Sequence, residues 1–350
     1  MKVLFVMELR LNAGSIQAVS SYIRTGHDLG YDFAVYGTKI NGFESIKFAT
    51  DVDSFDHIIF IFESNLYWIK KLPLAHILSE APRNRRVILD ADGMYNPIIC
   101  INGYDCNHEN EKNQKEWIDY YDSISDKIIQ PAIVPSQNPN VVSIPFYGYD
   151  PQNRYKNNTT KKYDLMYVGH NWWRWDVMQN IVLPAIKDNI DILNDICFIG
   201  HWWDKPPPWV KECDFEDPFR LDHNQFKNLG IKTKPAIPYN QVIETMDHGH
   251  INIMTQRPLL RNLKHMTSKY FEVFLADTIP LVILDPDHSE LVYGSAGRDL
   301  SLHGSTSDKL KDVIQNKKKY NKIVDRVRDH ISKHHSYNQR IQELENALIS

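Results

Sequence analysis

The sequence predicts an α/β protein of two domains, each with a parallel sheet that helices cover on both faces. Short apolar runs alternate with helical segments along the chain, which is the order typical of parallel sheets. Most of the runs have consecutive apolar residues rather than an alternating pattern, as expected of strands buried on both faces. A length of 350 residues also exceeds what one ordinary hydrophobic core holds.

The first domain is predicted over residues 1–150. It opens with a strand at 3–7, a loop that contains Asn12 and Gly14, and a helix whose first turn Ser15 is expected to cap. Gly30 ends that helix. A further helix is expected at 67–79. The remaining strands of this domain are predicted at residues 31–36, 57–62, 86–89, 127–130 and 141–145.

A polar, turn-rich segment at 149–162 is interpreted as the interdomain linker. The second domain is predicted over 160–330, with strands at 165–168, 196–199, 231–237, 251–254 and 279–284. Its helices are expected at 176–187, 238–246 and 267–276, and the chain reads as helical from 307 onward. The last helix, 331–350, is expected to pack back towards the first domain. Two such domains predict a cleft between them, which is a common ligand site.

Composition narrows the class of protein. A net charge of -4 argues against a large nucleic-acid footprint, so nucleic acid is conceivable only as a substrate and is not favoured. The N-terminal apolar run is broken by Glu8 and Arg10, and no apolar stretch approaches the roughly 20 residues that span a bilayer. We therefore expect a cytoplasmic protein with no transmembrane segment; no feature indicates an oligomeric state. The cysteines form no CxxC pair and read as reduced structural thiols: Cys100, Cys106, Cys197 and Cys213.

Two loops at predicted strand ends share one pattern of glycine, histidine and aromatic residues. The first loop contains Gly169, His170, Asn171 and Arg174, and the second contains Gly200, His201 and Trp202. Ligands bind beyond the carboxyl ends of parallel strands, and glycine lets the backbone approach a phosphate closely. These loops therefore predict a site for a planar base and a diphosphate. The alternative is that the tryptophans simply pack between the domains: Trp172, Trp173, Trp175, Trp202 and Trp203.

The predicted helix at 267–276 carries a third candidate. Glu272 lies off its apolar stripe, and Thr267 and Ser268 stand at its start. A carboxylate there could accept both hydroxyls of a ribose, and the hydroxyls could contact a phosphate. The alternative is a solvated glutamate on an exposed helix face.

Two aspartates follow the predicted strand at 86–89. Asp92, or secondarily Asp90, is a candidate general base that deprotonates an acceptor hydroxyl. The alternatives are a turn-capping aspartate before Gly93 and a DxD metal motif. We predict no metal site, because the His248 and His250 pair lacks a third spaced ligand. The lysines at 317–319 are interpreted as a solvated helix face.

With these residues in view, the chain resembles glycosyltransferases of the GT-B type, whose two domains are Rossmann-like. It is most similar to those with a spore-maturation-type or family-4-like C-terminal domain. Four segments carry the resemblance: 163–175, 196–204, 237–246 and 267–283. The last is the most specific and resembles the family block in which a glutamate binds the donor ribose, which implies that role for Glu272. Many retaining members carry a second glutamate where this chain has Lys264. That departure leaves open whether the enzyme retains or inverts the stereochemistry, and it suggests a diphosphate contact by Lys264 or Arg261.

The first domain is similar in layout to inverting phage DNA glucosyltransferases, where an aspartate after the corresponding strand acts as base. The resemblance implies sugar transfer from a nucleotide-sugar, most simply a UDP-sugar, to a hydroxyl acceptor, with no cofactor or metal. Arg174, Arg257, Arg261 or Lys264 would neutralise the diphosphate, and Asn12, Gly14 and Ser15 would face the acceptor. A GT-B epimerase or hydrolase and a catalytically silent binding module remain open. The acceptor, the donor base and the sugar are not readable from the sequence.

Overall fold

A computed structural model describes residues 1–9, 14–63, 66–96, 110–136, 138–155, 160–208, 210 and 219–349. The chain forms two compact units. The first consists of Met1–Gly148, Asn262–Ser268 and His335–Ser350, and the second of Tyr149–Arg261 and Lys269–His334. Both contain a parallel sheet with helices, so the predicted α/β class is confirmed.

The first unit contains a seven-stranded sheet in the order β3-β2-β1-β4-β5-β6-β7, and every pairing is parallel. Its strands are β1 Lys2–Met7, β2 Asp32–Tyr36, β3 Phe48–Ala49, β4 His57–Ile61, β5 Arg86–Leu89, β6 Ile128–Pro131 and β7 Val141–Ile144. Its helices are α1 Ser15–Asp28, α2 Leu66–Ile69, α3 Ala75–Glu80 and α4 Asn110–Ile124, with a 3-10 turn at Arg83–Arg85. The apolar runs predicted from the sequence are buried here, with Leu4, Ile58, Phe60 and Ile88 fully enclosed.

Helix α1 starts where it was predicted, but Ser15 does not cap it. Gly14 is the N-cap residue, and no side chain accepts a cap hydrogen bond. The buried Ser15 hydroxyl donates instead to the Glu63 carboxylate, with Oγ 2.7 Å from Oε1. A hydroxyl has one proton to donate, and a carboxylate is a stronger acceptor than a neutral partner. The capping prediction for Ser15 is therefore wrong.

The second unit contains a five-stranded parallel sheet in the order β10-β9-β8-β11-β12. Its strands are β8 Tyr163–Val168, β9 Ile196–Ile199, β10 Ile231–Lys234, β11 Gly249–Met254 and β12 Ile279–Val282. Its helices include α5 Trp175–Val177, α6 Leu183–Asp188, α7 His223–Asn228, α8 Val242–Asp247, α10 Lys269–Leu275 and α11 Pro286–Tyr293. A π-helical turn, Met178–Val182, joins α5 to α6, and Pro184 follows it without a backbone N–H to donate. Short 3-10 turns lie at Pro151–Asn153, Ile190–Ile192, Tyr239–Gln241 and Ser295–Leu300.

Helix α9, Pro258–Asn262, belongs to the second unit except for Asn262, which is assigned to the first. The predicted helical C-terminus is confirmed as three helices, α12 Thr306–Gln315, α13 Lys317–His334 and α14 Tyr337–Ile349. In the second unit, the buried Arg328 of α13 donates to the carbonyls of Phe274 and Ala276 at 3.0 and 2.6 Å. These bonds satisfy carbonyls at the end of α10. In the first unit, Arg340 of α14 donates to the Pro145 carbonyl at 2.8 Å.

Several elements differ from the prediction in their extent. The helix expected at 67–79 is two short helices, and the strand expected at 231–237 ends at Lys234. Helices α4, α7 and α11 and the short strand β3 were not predicted; α4 is strongly polar, and β3 has only two residues. Within the ranges given above, each helix is too short or too polar to cross a membrane.

Candidate functional site

The two glycine loops of the second unit contact each other directly. Strands β8 and β9 are paired neighbours, and the Gly169 N–H donates to the Ile199 carbonyl at 2.8 Å. A Cβ at Gly200 would overlap the carbonyl of Gly169, so this close approach admits only glycine at position 200. A Cβ at Gly169 would lie 2.6 Å from the Tyr167 hydroxyl. The structure therefore brings the two predicted loops together at one sheet edge.

Histidines from the two loops face each other across this contact. The backbone N–H of His201 donates to Nδ1 of His170 at 3.1 Å, and the two rings are 4.8 Å apart. In return, the N–H of Asn171 donates to the His201 carbonyl at 3.0 Å. Burial lowers the pKa of His201, with an opposing contribution from Asp204. His170 is half-buried and His201 is exposed.

Asn171 holds the loops in place. It is fully buried, and its side-chain amide donates to the carbonyls of Trp202 at 3.2 Å and Arg220 at 2.9 Å. These bonds commit the amide group to the backbone. Asn171 thus remains a predicted donor-binding residue whose observed contacts are those of a positioning residue.

The five tryptophans divide into two groups. Trp173, Trp175 and Trp203 are buried within the second unit, and Trp203 donates from Nε1 to the Gly169 carbonyl at 2.7 Å. Trp172 and Trp202 are half-buried and pack on each other, with ring centroids 6.0 Å apart. Trp202 has a φ of 67°, a left-handed conformation that is strained for a tryptophan. Of the five tryptophans, only Trp172 and Trp202 thus have surface available at these loops.

A pair of cations lies beyond the neighbouring strands β8 and β11. Arg174 follows β8 and donates from Nη1 to the Trp172 carbonyl at 2.7 Å. Lys269 opens helix α10, and burial lowers the pKa of its ammonium group. Glu272 opposes that shift, and the charge of Arg174 adds to it. Sequence reasoning missed Lys269, although its spacing three residues before Glu272 on a helix was a readable signal.

Glu272 is buried, with 7% of its surface exposed, so the solvated-face alternative for this residue is wrong. Its Oε2 lies 3.9 Å from Nζ of Lys269. The predicted apolar stripe is confirmed, since Tyr270, Phe271, Phe274 and Leu275 are all buried. A buried carboxylate is held here beside one ammonium group, on a helix whose far end Arg328 caps.

The remaining predicted donor-binding residues differ in their burial and in the unit to which they belong. Arg257 is buried and Arg261 is half-buried, and burial lowers the pKa of Arg261. Lys264 is exposed with a φ of 54°. Thr267 and Ser268 precede α10 rather than opening it, and belong with Lys264 to the first unit. The donor-binding role of all five stays a prediction.

In the first unit, the two candidate bases differ in their surroundings. Asp90 is fully buried and accepts hydrogen bonds from the N–H groups of Met94 and Tyr95 at 2.9 Å and from the Gln130 amide at 2.8 Å. Burial raises the pKa of Asp90 despite these donors. Asp90 therefore has the role of the turn-capping aspartate that was the alternative to a general base. Asp92 is half-buried and remains the candidate base.

A polar cluster accompanies Asp92 in the first unit. The Ser15 hydroxyl bonds Glu63, and it lies 3.1 Å from the hydroxyl of the buried Tyr147. Burial raises the pKa of Tyr147, and the charges of Glu63 and Asp92 add to that shift. Glu63 follows strand β4 and was not predicted; its position at a strand end was the available signal. Of the predicted acceptor residues, Gly14 and Ser15 are described, and Asn12 lies outside the described residues.

The other features singled out in the sequence are the cysteines and the histidines at 248 and 250. Cys197 is a buried free thiol, and Cys100, Cys106 and Cys213 lie outside the described residues. The His248 ring nitrogen Nε2 is 3.4 Å from the Lys162 ammonium nitrogen. Within the described ranges there is no group of three or more His, Cys, Asp and Glu side chains that could hold a metal ion.

Comparisons with known proteins agree with this architecture. Residues 181–346 match the sequence profile of the family described as glycosyl transferase-like. The structure of T4 phage BGT with its UDP-glucose substrate superposes with a TM-score of 0.59 at 15% identity, covering 99% of both chains. T4 phage BGT with UDP and Mn²⁺ gives 0.56 at 15% identity, again over 99% of both chains. An alpha-glucosyltransferase with UDP and a 13-mer DNA containing an HMU base gives 0.55 at 11% identity over 100% of both chains.

No curated protein matches the sequence significantly. The family profile covers most of the second unit, and the fold similarity extends over the whole chain. Together these findings show a GT-B fold with two Rossmann-like domains, and residues 181–346 are similar to the glycosyl transferase-like family.

Proposed function

We propose that this protein transfers glucose from UDP-glucose to a hydroxyl group of an acceptor. The observation that carries the proposal is the cluster of Arg174, Lys269 and Glu272 beyond the carboxyl ends of β8 and β11. Two cations beside a buried carboxylate match a diphosphate next to a ribose. Support for the donor also comes from two solved relatives, which contain UDP-glucose or UDP.

Each member of the cluster has a distinct proposed role. Glu272 accepts hydrogen bonds from the ribose hydroxyls, since a carboxylate has two oxygens available as acceptors. Arg174 and Lys269 offset the negative charge that develops on the diphosphate as it leaves. His170, His201 and Trp202, at the ends of the neighbouring strands β8 and β9, contact the phosphates and the base. Arg257, Arg261, Lys264, Thr267 and Ser268 are retained as further candidates for donor contacts.

Asp92 is the proposed general base. It accepts the proton of the acceptor hydroxyl while that oxygen forms a bond to the anomeric carbon of glucose. The bond between the anomeric carbon and the diphosphate oxygen breaks, and UDP leaves with the electron pair. Asp90 is the weaker candidate because its oxygens already accept three short hydrogen bonds.

Metal independence is part of the proposal. Arg174 and Lys269 supply positive charge at the position where a divalent cation would otherwise offset the diphosphate. One relative was solved with UDP and Mn²⁺, so the metal requirement for transfer by this protein has to be measured. Transfer measured in EDTA and in excess Mn²⁺ answers it: equal rates support the role of the two side chains, and loss of transfer in EDTA contradicts it.

The acceptor class to test first is DNA that carries hydroxymethylated bases. One solved relative is described as a DNA modifying enzyme, and another was crystallised with DNA containing an HMU base. Because the net charge is -4, we do not expect general electrostatic attraction to supply most of the protein's affinity for DNA. Recognition of such a substrate would therefore depend on local contacts rather than on overall charge.

The experiment is a transfer assay with radiolabelled UDP-glucose and two duplexes, one with 5-hydroxymethyl pyrimidines and one unmodified but otherwise identical. A third reaction contains no DNA. Label in the hydroxymethylated duplex alone, with one UDP released per glucose, confirms the function and the acceptor. Rapid epimerisation or hydrolysis without acceptor would instead indicate a GT-B epimerase or hydrolase. Binding of UDP-glucose with no turnover under any of these conditions would indicate a silent binding module.

A further inference from the structure

Helix α10, which carries Lys269 and Glu272, is too short to hold its own position. It has seven residues, Lys269–Leu275, and a helix of fewer than about 12 residues is marginally stable on its own. An α-helix also leaves its last four carbonyls without partners inside the helix. The position of α10, and with it that of Glu272, therefore depends on donors from other parts of the second unit.

Donors from two distant segments bind the carbonyl end of α10. Arg328 of α13 donates from Nε to the Phe274 carbonyl at 3.0 Å and from Nη2 to the Ala276 carbonyl at 2.6 Å. The backbone N–H of Tyr155 donates to the Leu275 carbonyl at 3.0 Å. Three successive carbonyls are thus held from outside the helix, two of them by one planar guanidinium group.

The burial of Arg328 shows how strongly this contact is built. Burial lowers the pKa of its guanidinium group, and the charge of Arg154 adds to that shift. Its Nη1 donates to the Asp325 carboxylate at 3.0 Å, but that carboxylate is exposed to solvent and offsets little of the cost of burying a charge. The main compensation is the carbonyl end of α10, where the helix dipole favours a cation.

We propose that Arg328 is a positioning residue for the donor site, which fixes helix α10 so that the Glu272 carboxylate meets the ribose hydroxyls. This inference rests on the proposed function, because the ribose contact of Glu272 belongs to it. Glu272 lies two residues before Phe274, less than one helical turn from the first carbonyl that Arg328 binds. Without Arg328 the last turn of α10 would lose two of its hydrogen bonds, and a shift of about 1 Å in the carboxylate would spoil the ribose contact.

Two substitutions and one control test this role. Arg328→Met keeps an unbranched side chain and removes every donor, whereas Arg328→Lys keeps a cation that can bind a carbonyl. Arg326→Met removes an exposed arginine of the same helix, whose Nη2 is 3.8 Å from the Asp299 carboxylate. Each protein is titrated calorimetrically with UDP and with 2′,3′-dideoxy-UDP, and its thermal unfolding is measured.

The quantity that separates positioning from stability is the ratio of the two affinities. A loss of stability alone lowers Tm and leaves this ratio unchanged in the folded protein. We expect Arg328→Met to lower Tm and to reduce the preference for UDP, about ten-fold or more in wild type, to about three-fold or less. We expect Arg328→Lys to recover part of the preference and Arg326→Met to keep all of it.

A wild-type ratio in the folded Arg328→Met protein would overturn the inference. If Arg328→Met does not fold, Arg328→Lys decides, since a reduced ratio supports the positioning role and an unchanged ratio overturns it. A wild-type protein that binds UDP and the dideoxy analogue equally would contradict the ribose contact itself. In that case the proposed role of Glu272 fails, and this inference fails with it.

Discussion

Lys269 and Glu272 lie one turn apart on helix α10, with Nζ 3.9 Å from Oε2. Their side chains are 24% and 9% exposed, so both charges are largely removed from water. Burial lowers the pKa of Lys269, and the nearby Arg174 adds to the effect. Placing two cations and only one carboxylate largely out of water costs free energy, unless a bound anion balances the remaining positive charge. A bound diphosphate is the anion that the proposed function supplies.

Replacing Lys269 by methionine tests this cation. We expect UDP affinity to fall by about ten-fold or more, because a charge-assisted contact to the diphosphate is lost. We expect Tm to fall as well, because the substitution leaves the buried Glu272 carboxylate without its ammonium partner. Calorimetric titration with UDP measures the first effect and thermal unfolding the second.

The control for Lys269→Met is Lys232→Met. Lys232 is an exposed lysine of the same unit that pairs with Asp195 on the surface. The Lys232→Met variant should bind UDP as tightly as the wild-type protein does. Unchanged affinity in Lys269→Met, or an equal loss in both variants, would contradict a specific role for Lys269.

Replacing Asp92 by asparagine tests the proposed base. We expect kcat for transfer to fall by about 10² to 10⁴-fold, the range typical of a lost general base, with UDP affinity nearly unchanged. The measurement is steady-state transfer on the acceptor that the assay above identifies, with UDP titration alongside. Full transfer activity in Asp92→Asn would remove this residue from the mechanism and leave Glu63 as the next carboxylate to test.

Asp90 should make stability depend on pH. Burial raises its pKa, so the folded protein holds this proton more tightly than the unfolded chain, whose aspartates titrate near about 3.9. The stabilising contribution is fully present below that unfolded value and is lost as pH rises through the raised value. Asp90→Asn does not titrate. The stability advantage of wild type over Asp90→Asn, measured by urea unfolding from pH 4 upward, should therefore shrink as pH rises. An advantage that grows with pH would mean that the three hydrogen-bond donors outweigh burial.

Gly200→Ala tests the contact between the two loops. The added Cβ would overlap the Gly169 carbonyl, and backbone atoms have little freedom to move away. We expect a loss of about 1–3 kcal/mol in the free energy of unfolding, as for other overpacked sites, together with weaker UDP binding. Gly230→Asn is the control, because Gly230 has a φ of 62° with nothing within 4 Å of its Cβ position, and asparagine tolerates that conformation. Equal effects of the two substitutions on UDP binding would contradict the role of the loop contact.

The strands and the loops that follow them were predictable from the sequence because they depend on local patterns. Uninterrupted apolar runs at 87–89 and 196–199 lie within β5 and β9, since strands buried on both faces need no alternation. Glycine at the end of such a run marked the loops at Gly169 and Gly200. Glu272 was singled out by its place off an apolar helix stripe and by family resemblance.

The remaining features depend on contacts between residues distant in sequence. Asp90 and Asp92 are equivalent in the sequence, and only the fold shows that Asp90 is enclosed by donors. Ser15 was expected to cap a helix because Glu63, 48 residues away, is not a visible competitor for its hydroxyl. Lys269 acquires its importance from Arg174, which follows a different strand.

The most direct test of the central claim is a calorimetric titration of wild type, Glu272→Ala and the exposed control Glu244→Ala with UDP and with 2′,3′-dideoxy-UDP. We expect wild type and Glu244→Ala to bind UDP about ten-fold or more tightly than the dideoxy analogue, because Glu272 accepts hydrogen bonds from the ribose hydroxyls. Glu272→Ala should bind both ligands equally and weakly. Absence of UDP binding by wild type, or undiminished preference for UDP in Glu272→Ala, would contradict the account.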